Sequence, residues 1–156
     1  MQSELIVAAA RQVAQRLHKG QVDKAGVDYF GGHLSAVASM GKCWQEKVVG
    51  YLHDVAEDAP HTVDDVLNLL DQELSAPLPS AKREELAEAL RLLNHHTATD
   101  RESYIRAISK NALATAVKLH DLIHNMDLSR LPNPEEKDFQ RLERYKQEYE
   151  YLSRIR

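Results

Sequence analysis

The chain has 156 residues, 20 of them Lys or Arg and 24 Asp or Glu, which gives a formal charge of −4. This length and a hydrophobic share of 43% predict one globular domain, residues 1–156, and argue against a disordered, collagen-like or membrane-spanning chain. The mildly acidic total gives no general attraction to nucleic acid, so duplex DNA or RNA is not an expected partner.

Apolar residues recur mostly at spacings of three and four, with little strand-like alternation, and this period predicts an all-α fold. Capping residues, prolines and glycines mark the ends of the elements. The predicted helices cover residues 3–18, 33–40, 44–58, 62–74, 80–93, 99–110 and 111–126, with a last one from residue 133. Residues 19–32 hold four of the six glycines and are a predicted loop, and residues 75–80 are a predicted linker.

The last predicted helix carries a set of apolar and aromatic side chains, which we assign to one stripe: Phe139, Leu142, Tyr145, Tyr149 and Leu152. Such a stripe is typical of a helix that docks against a protein core. We therefore expect this face to be buried.

Cys43 is the only cysteine, which leaves neither an internal disulfide nor a cysteine-based zinc site. A lone cysteine is typical of a protein in a reducing compartment. The apolar run at residues 5–10 is short and follows Glu4 rather than a basic segment, so we expect no targeting signal and a cytoplasmic location.

The predicted helix 44–58 separates its apolar and polar side chains. Four polar groups fall within about 140° of one another on the side opposite the valines and leucine: His53, Asp54, Glu57 and Asp58. A solvated helix face is one interpretation, and a chemical site is the other. The His-Asp pair does not decide between them, because the same dipeptide recurs at residues 120–121.

The second His-Asp pair lies in a largely apolar segment, residues 112–126, which predicts a buried helix. Lys118, Asp121 and Asn125 share a strip about 60° wide on that helix. A buried carboxylate needs a partner, because an unpaired buried charge is costly. Lys118 or a metal ion can be that partner, and the sequence leaves both alternatives open.

His120 and His124 are four residues apart with an acid between them, as in the helix of two-histidine zinc sites. We expect these histidines to lie roughly opposite Asp121 on the helix. A zinc site that uses both would then leave Lys118, Asp121 and Asn125 without a role.

Segments that match one known family run through nearly the whole chain. They include Leu52-His-Asp-Val-Ala-Glu-Asp58, Val117-Lys-Leu-His-Asp121 and His124-Asn-Met126. Others are residues 18–21, 24–26, 29–33, 36–38, 104–105 and 141–145. In order and spacing the set resembles the HD-domain phosphohydrolases, in particular the hydrolase domain of the Rel/SpoT enzymes and the small stand-alone (p)ppGpp hydrolases. The resemblance implies an HD-domain helical bundle.

The resemblance also implies one divalent metal ion, usually Mn²⁺ in these relatives. Its ligands would be His33, His53, Asp54 and Asp121. Two imidazoles and two carboxylates suit Mn²⁺ and leave coordination positions for water and a phosphate oxygen.

The remaining implied roles concern catalysis and substrate. Glu57 and Asp58 match the acidic pair that orients or deprotonates the attacking water. Lys24 and Asn125 match positions that hold the nucleotide, and Lys118 supports the site or a phosphate.

Five features depart from the pattern of the relatives, among them Leu34 in place of a proline and His120 in place of a small residue. Asp23 stands where they have an Arg that stacks on guanine, and Asp127 stands where a basic residue often occurs. One additional residue separates Tyr29 from His33. Acids in place of cations predict a site less suited to a highly phosphorylated anion.

The resemblance predicts a metal-dependent phosphohydrolase that acts on a small-molecule nucleotide, with a (p)ppGpp-type 3′-pyrophosphohydrolase as the leading interpretation. A nucleoside 5′-monophosphatase is the alternative enzyme. A non-catalytic HD domain that senses a nucleotide or binds a protein is the alternative of a different class. No membrane partner is expected, and oligomerisation is left open.

Overall fold

The computed structural model describes residues 2–54, 61–94 and 98–155. Regular structure in these ranges is helical, apart from one isolated bridge between Val22 and Asp28. The helices are α1 Gln2–Leu17, α2 Ser35–Ser39, α3 Trp44–Leu52, α4 Val63–Glu73, α5 Ser80–Leu93, α6 Arg101–Ile108, α7 Ala112–Asn125 and α8 Glu136–Ile155. A π-helical turn, Phe30–Leu34, precedes α2, and a 3₁₀ turn, Leu128–Arg130, follows α7. The all-α prediction is confirmed.

In the described ranges, three helix starts follow capping residues of the sequence. Thr62 and Asp65 form a capping box at α4, with Asp65 N donating to Thr62 Oγ1 and Thr62 N donating to Asp65 Oδ2. Asp100 and Asn111 cap α6 and α7 through their side-chain oxygens. At α5 the cap position belongs to Pro79, and Ser80 is already the first helical residue.

Helix α7 lies at the centre of the fold. It contacts α2, α3, α5, α6 and α8, and every residue from Ala114 to Leu122 is buried. The predicted buried helix is therefore confirmed, and its polar residues enter the interior with it. None of the helices in the described ranges is both long and apolar enough to cross a membrane.

Helix α8 packs along α7 with its C-terminal half against the core. Leu152 is fully buried and Tyr145 is partly buried, but Phe139 is 48% exposed. The stripe prediction is wrong at Phe139, because its side chain leaves the helix about 120° away from that of Tyr145. The residue seven positions before Tyr145 is Asp138, and it is the buried one in the first turn.

Two boundaries around the site differ from the prediction. Helical structure begins at Phe30, inside the predicted loop 19–32, and the predicted helix 33–40 is divided into the π-helical turn and α2. In the loop itself, Gly20 and Gly26 have φ values of 83° and 82°, a conformation that favours glycine. Helix α3 ends at Leu52, and His53 and Asp54 form a turn after it.

Candidate functional site

Three of the four predicted metal ligands come together from distant parts of the chain. His33 lies in the π-helical turn, His53 follows α3, and Asp121 lies in α7. All three are buried, and one ligand atom from each lies within 4.8 Å of the others. Nε2 of His33 is 2.9 Å from Oδ1 of Asp121, and Nε2 of His53 is 3.5 Å from the same oxygen.

The fourth predicted ligand, Asp54, borders this group. Its Oδ2 lies 3.2 Å from Nε2 of His53 and 3.6 Å from Nε2 of His33. The Tyr29 hydroxyl donates a hydrogen bond to the same oxygen. Tyr29 is thus a residue of the site that the sequence analysis did not assign, although it belongs to one of the matching segments.

The π-helical turn brings His33 into the group. Leu34 N donates to Tyr29 O and Ser35 N donates to Phe30 O, so both bonds span five residues. Hydrogen bonds of a π-helical turn close over one residue more than those of an α-helical turn. His33 thus lies in a turn wider than an α-helical one, and its imidazole faces Asp121.

The histidine rings are oriented through Nδ1. Nδ1 of His53 is 2.7 Å from the carbonyl oxygen of Gly50, and Nδ1 of His33 is 2.8 Å from Nδ1 of His124. Nε2 of each ring therefore faces the carboxylates of Asp54 and Asp121. Nε2 of His53 is buried and makes no well-formed hydrogen bond within the described part of the chain.

Both partners that the sequence left open for Asp121 are compatible with its geometry. Nζ of Lys118 lies 2.9 Å from Oδ2, while Oδ1 accepts from Nδ2 of Asn125 at 3.2 Å and faces the histidines. One oxygen thus forms the predicted ion pair, and the other is directed at the candidate metal position. The predicted strip of Lys118, Asp121 and Asn125 is confirmed.

The electrostatics of the group favour positive charge at its centre. Burial opposes ionisation of Asp121, but Lys118, His33 and His53 hold its pKa well below the usual range. Burial also opposes the charged form of His53, and the carboxylates of Asp54 and Asp121 nevertheless raise its pKa to about 9. A proton on imidazole and a divalent cation satisfy the same carboxylates. The donor set and its field therefore fit a divalent metal ion.

The two histidines of the zinc-helix alternative do not lie opposite Asp121. On an α-helix His124 lies about 60° and His120 about 100° from Asp121, and His124 contacts the ligand candidate His33. Among the described residues the group of potential ligands consists of His33, His53 and Asp121, without His120 or His124.

A cleft of about 710 Å³ opens beside the ligand group. It is lined by all three predicted substrate residues, Lys24, Lys118 and Asn125, as well as by His33, His53, Asp54 and Asp121. The predicted catalytic pair, Glu57 and Asp58, lies outside the described residues. The three residues predicted to bind substrate therefore line the same cleft as the candidate ligands.

The cleft also contains four arginines that the sequence analysis did not assign to it: Arg101, Arg130, Arg141 and Arg144. Arg101 forms a two-pronged ion pair with the buried Glu148, at 2.8 and 2.9 Å, and Arg144 lies 3.8 Å from the same carboxylate. Arg141 and Arg144 are three residues apart on α8. Helical spacing can therefore identify two of the four, whereas Arg101 and Arg130 join them only in the folded chain.

Asp23 and Asp127 both have hydrogen-bond partners in the structure, and Asp23 is also paired with a cation. Burial raises the pKa of Asp23, but backbone N–H groups of Val27 and Ala25 and the guanidinium of Arg130 together lower it. Arg130 lies 3.1 Å from Asp23 Oδ2. Asp127 accepts from Ser129 N at the start of the 3₁₀ turn. The cationic partner of Asp23 weakens the expectation that this carboxylate repels an anionic ligand, whereas the hydrogen bond from Ser129 leaves the charge of Asp127 in place.

Comparison of the chain with models of known protein families gave no match.

Proposed function

We propose that the protein is a metal-dependent phosphohydrolase of the HD type that acts on a nucleotide, with a (p)ppGpp-type 3′-pyrophosphohydrolase as the leading reaction. One observation carries the proposal: a buried His-His-Asp group, bordered by a second carboxylate, lines the same cleft as six cationic side chains. The cations are Lys24, Arg101, Lys118, Arg130, Arg141 and Arg144. Such a combination favours chemistry on a phosphate group.

The residues that would hold the metal are His33, His53 and Asp121, with Asp54 beside them. Mixed imidazole and carboxylate donors suit Mn²⁺, Fe²⁺ or Zn²⁺, and the resemblance favours Mn²⁺. A bound divalent ion would lower the pKa of a water molecule and stabilise negative charge on a phosphate oxygen. Glu57 and Asp58 follow the ligand pair in sequence and are proposed to orient that water or take its proton.

The cleft supports a phosphorylated ligand of moderate size. Its volume lies within the range of about 300–1,000 Å³ that is typical of small-molecule sites. Guanidinium groups present paired donors that match phosphate oxygens. Lys24 is half-exposed beside Asp138, so its ammonium can reach a ligand in the cleft.

A nucleoside 5′-monophosphatase is the second candidate. It is favoured by the buried carboxylates Asp138 and Glu148, which partly neutralise four of the cations: Lys24, Arg141, Arg101 and Arg144. A ligand with one phosphate needs less positive charge than one with four. The two reactions differ in their products, because one releases pyrophosphate and the other releases phosphate.

The test is hydrolysis of a nucleotide panel, including ppGpp and the common nucleoside monophosphates, by protein stripped with chelator and reloaded with Mn²⁺. Pyrophosphate released from ppGpp only by the reloaded protein is the expected result. Phosphate released from monophosphates would favour the second candidate. No turnover, with Mn²⁺ shown to be bound, would contradict both enzymes and favour a nucleotide-sensing domain.

Two variants sharpen this test. Asp54→Asn removes a charge next to the candidate ligands, and we expect it to lose most of the activity. Asp64→Asn removes the same charge from a side chain that is 70% exposed on α4, and it should retain full activity. Equal activity of the two variants would contradict the assignment of the site.

A further inference from the structure

We infer that His124 is a positioning residue of the metal centre, because it accepts a hydrogen bond from Nδ1 of His33 and so directs Nε2 of His33 towards the metal position. The inference rests on the metal site of the proposed function. His124 was considered above only as a zinc ligand, and the geometry gives it a different role.

The contact between the two rings is close and sheltered. Nδ1 of His33 and Nδ1 of His124 are 2.8 Å apart, with ring centroids 5.0 Å apart. His33 is only 3% exposed. At this distance one nitrogen carries the shared proton and the other accepts it. The tautomer of each ring is therefore set by that of its neighbour.

The assignment of the proton follows from the position of the other nitrogen. Nε2 of His33 lies 2.9 Å from Oδ1 of Asp121, within the candidate ligand group. An imidazole binds a metal through a nitrogen that carries no proton. Without a metal ion, Nε2 of His33 donates a hydrogen bond to Asp121, and a bound metal ion would replace that proton. In the metal-loaded protein Nδ1 of His33 must then be the donor and Nδ1 of His124 the acceptor. His53 is oriented in the same way, with its Nδ1 donating to Gly50 O.

His124 is itself held in place from two sides. It lies one turn after Asp121 on α7, so one helix supplies both a ligand and the group that orients another ligand. Nη1 of Arg130 donates to the carbonyl oxygen of His124 at 2.8 Å. A fixed acceptor of this kind orients a metal-binding imidazole, and its loss typically weakens metal binding about 10- to 100-fold.

The test compares Mn²⁺ affinity of the chelator-stripped full chain with that of two variants, His124→Leu and His124→Asn. Leucine removes the acceptor, so we expect Mn²⁺ binding to weaken about 10- to 100-fold. Asparagine places Oδ1 at the same number of bonds from the backbone as Nδ1 of histidine, so affinity should stay within a few-fold of the wild type. Ile123→Ala, at an exposed neighbouring position on α7, is the matched control and should bind normally.

A second measurement does not depend on whether the variants fold. Long-range ¹H–¹⁵N correlation spectra of the wild-type chain, loaded with Zn²⁺ as a diamagnetic probe, should show His33 protonated at Nδ1 and His124 protonated at Nε2. The reverse assignment for His124 would overturn the inference.

The outcomes separate this inference from the proposed function. If the wild type binds Mn²⁺ and His124→Leu binds it equally well, the inference fails and the metal site stands. Equal loss in the leucine and asparagine variants also contradicts the acceptor role. If the wild type binds neither Mn²⁺ nor Zn²⁺, the metal site itself is wrong and the inference falls with it.

Discussion

His53 is a buried side chain that contacts both the backbone of α3 and the candidate ligand group. It is buried among carboxylates, its Nδ1 is held by Gly50 O, and its Nε2 faces the ligand group. Burial opposes its charged form, yet Asp54 and Asp121 raise its pKa to about 9. In the metal-free protein the imidazolium therefore acts as the countercharge that a metal would otherwise supply.

This charge predicts a pH dependence for the metal-free protein. The pKa of His53 rises from 6.5 in the unfolded chain to about 9 in the folded chain, so its contribution is fully present below pH 6.5 and is lost as the pH rises to 9. The free energy of unfolding of the wild type minus that of His53→Gln should therefore decrease between pH 6.5 and pH 9. Urea titrations in chelator measure this difference, and a value independent of pH would contradict the charge assignment.

His124 and Tyr29 mark the limit of what the sequence predicted at this scale. The ligand roles of His53 and Asp121 were expectations from the resemblance of the segments that contain them, because the His-Asp dipeptide alone did not decide between a site and a solvated face. The contact of Tyr29 with Asp54 joins residues 25 positions apart, and that of His33 with His124 joins residues 91 positions apart. Spacing along one helix cannot predict such contacts. For His124 the error was also geometric, since it lies on the same side of α7 as Asp121.

At the scale of elements, the helices were predictable because periodicity and caps agree. The capping residues Thr62, Asp100 and Asn111 each begin a helix where the sequence placed one. The π-helical turn was not predicted, since nothing in a run of glycines distinguishes a wide helical turn from a loop. The resemblance implied one additional residue before His33, but a π-helical turn could not be predicted from that.

Gly50 provides a test of how α2 and α3 position the site. A Cβ at Gly50 would lie 3.0 Å from Cα and 3.1 Å from N of Ala38, so it meets backbone that cannot rotate away. We expect Gly50→Ala to reduce the free energy of unfolding by about 1–3 kcal/mol. It should also weaken Mn²⁺ binding, because Gly50 O holds the ring of His53.

Thermal unfolding and Mn²⁺ titration of the Gly50→Ala variant check both effects. The close approach of α2 and α3 is the physical cause, so the two losses should occur together. A variant with wild-type stability and unchanged Mn²⁺ affinity would show that this approach does not position His53.

At the scale of the whole molecule, the cleft places two carboxylates of the candidate ligands, its centre, beside six cationic side chains, its wall. The net charge of −4 gives no indication of this arrangement. The candidate ligands bring two carboxylates together, while the lysines and arginines around them come from the loop, α6, α7, the 3₁₀ turn and α8. A composition total averages over these surfaces, so the sequence predicted the centre through its motifs and missed most of the wall.

The cationic side chains of the cleft lead to a prediction for Lys24 and the KM of the nucleotide. This side chain is 51% exposed and lies 3.5 Å from Asp138 at the cleft. Under the proposed function, Lys24→Met should raise KM for the nucleotide about 10-fold and leave kcat nearly unchanged, because the lost interaction is made equally with bound substrate and transition state. Lys19→Met, at an exposed position that does not line the cleft, should leave both constants unchanged. A loss confined to kcat would instead place Lys24 at the reacting phosphate.

The metal centre is the claim on which the account depends, and anomalous diffraction at the Mn edge from crystals of the Mn²⁺-loaded chain tests it most directly. The account predicts one strong peak bonded to Nε2 of His33, Nε2 of His53 and Oδ1 of Asp121, with Asp54 completing the protein ligands. A peak elsewhere, or no peak in crystals grown with Mn²⁺ in excess, would contradict the assignment of these four residues.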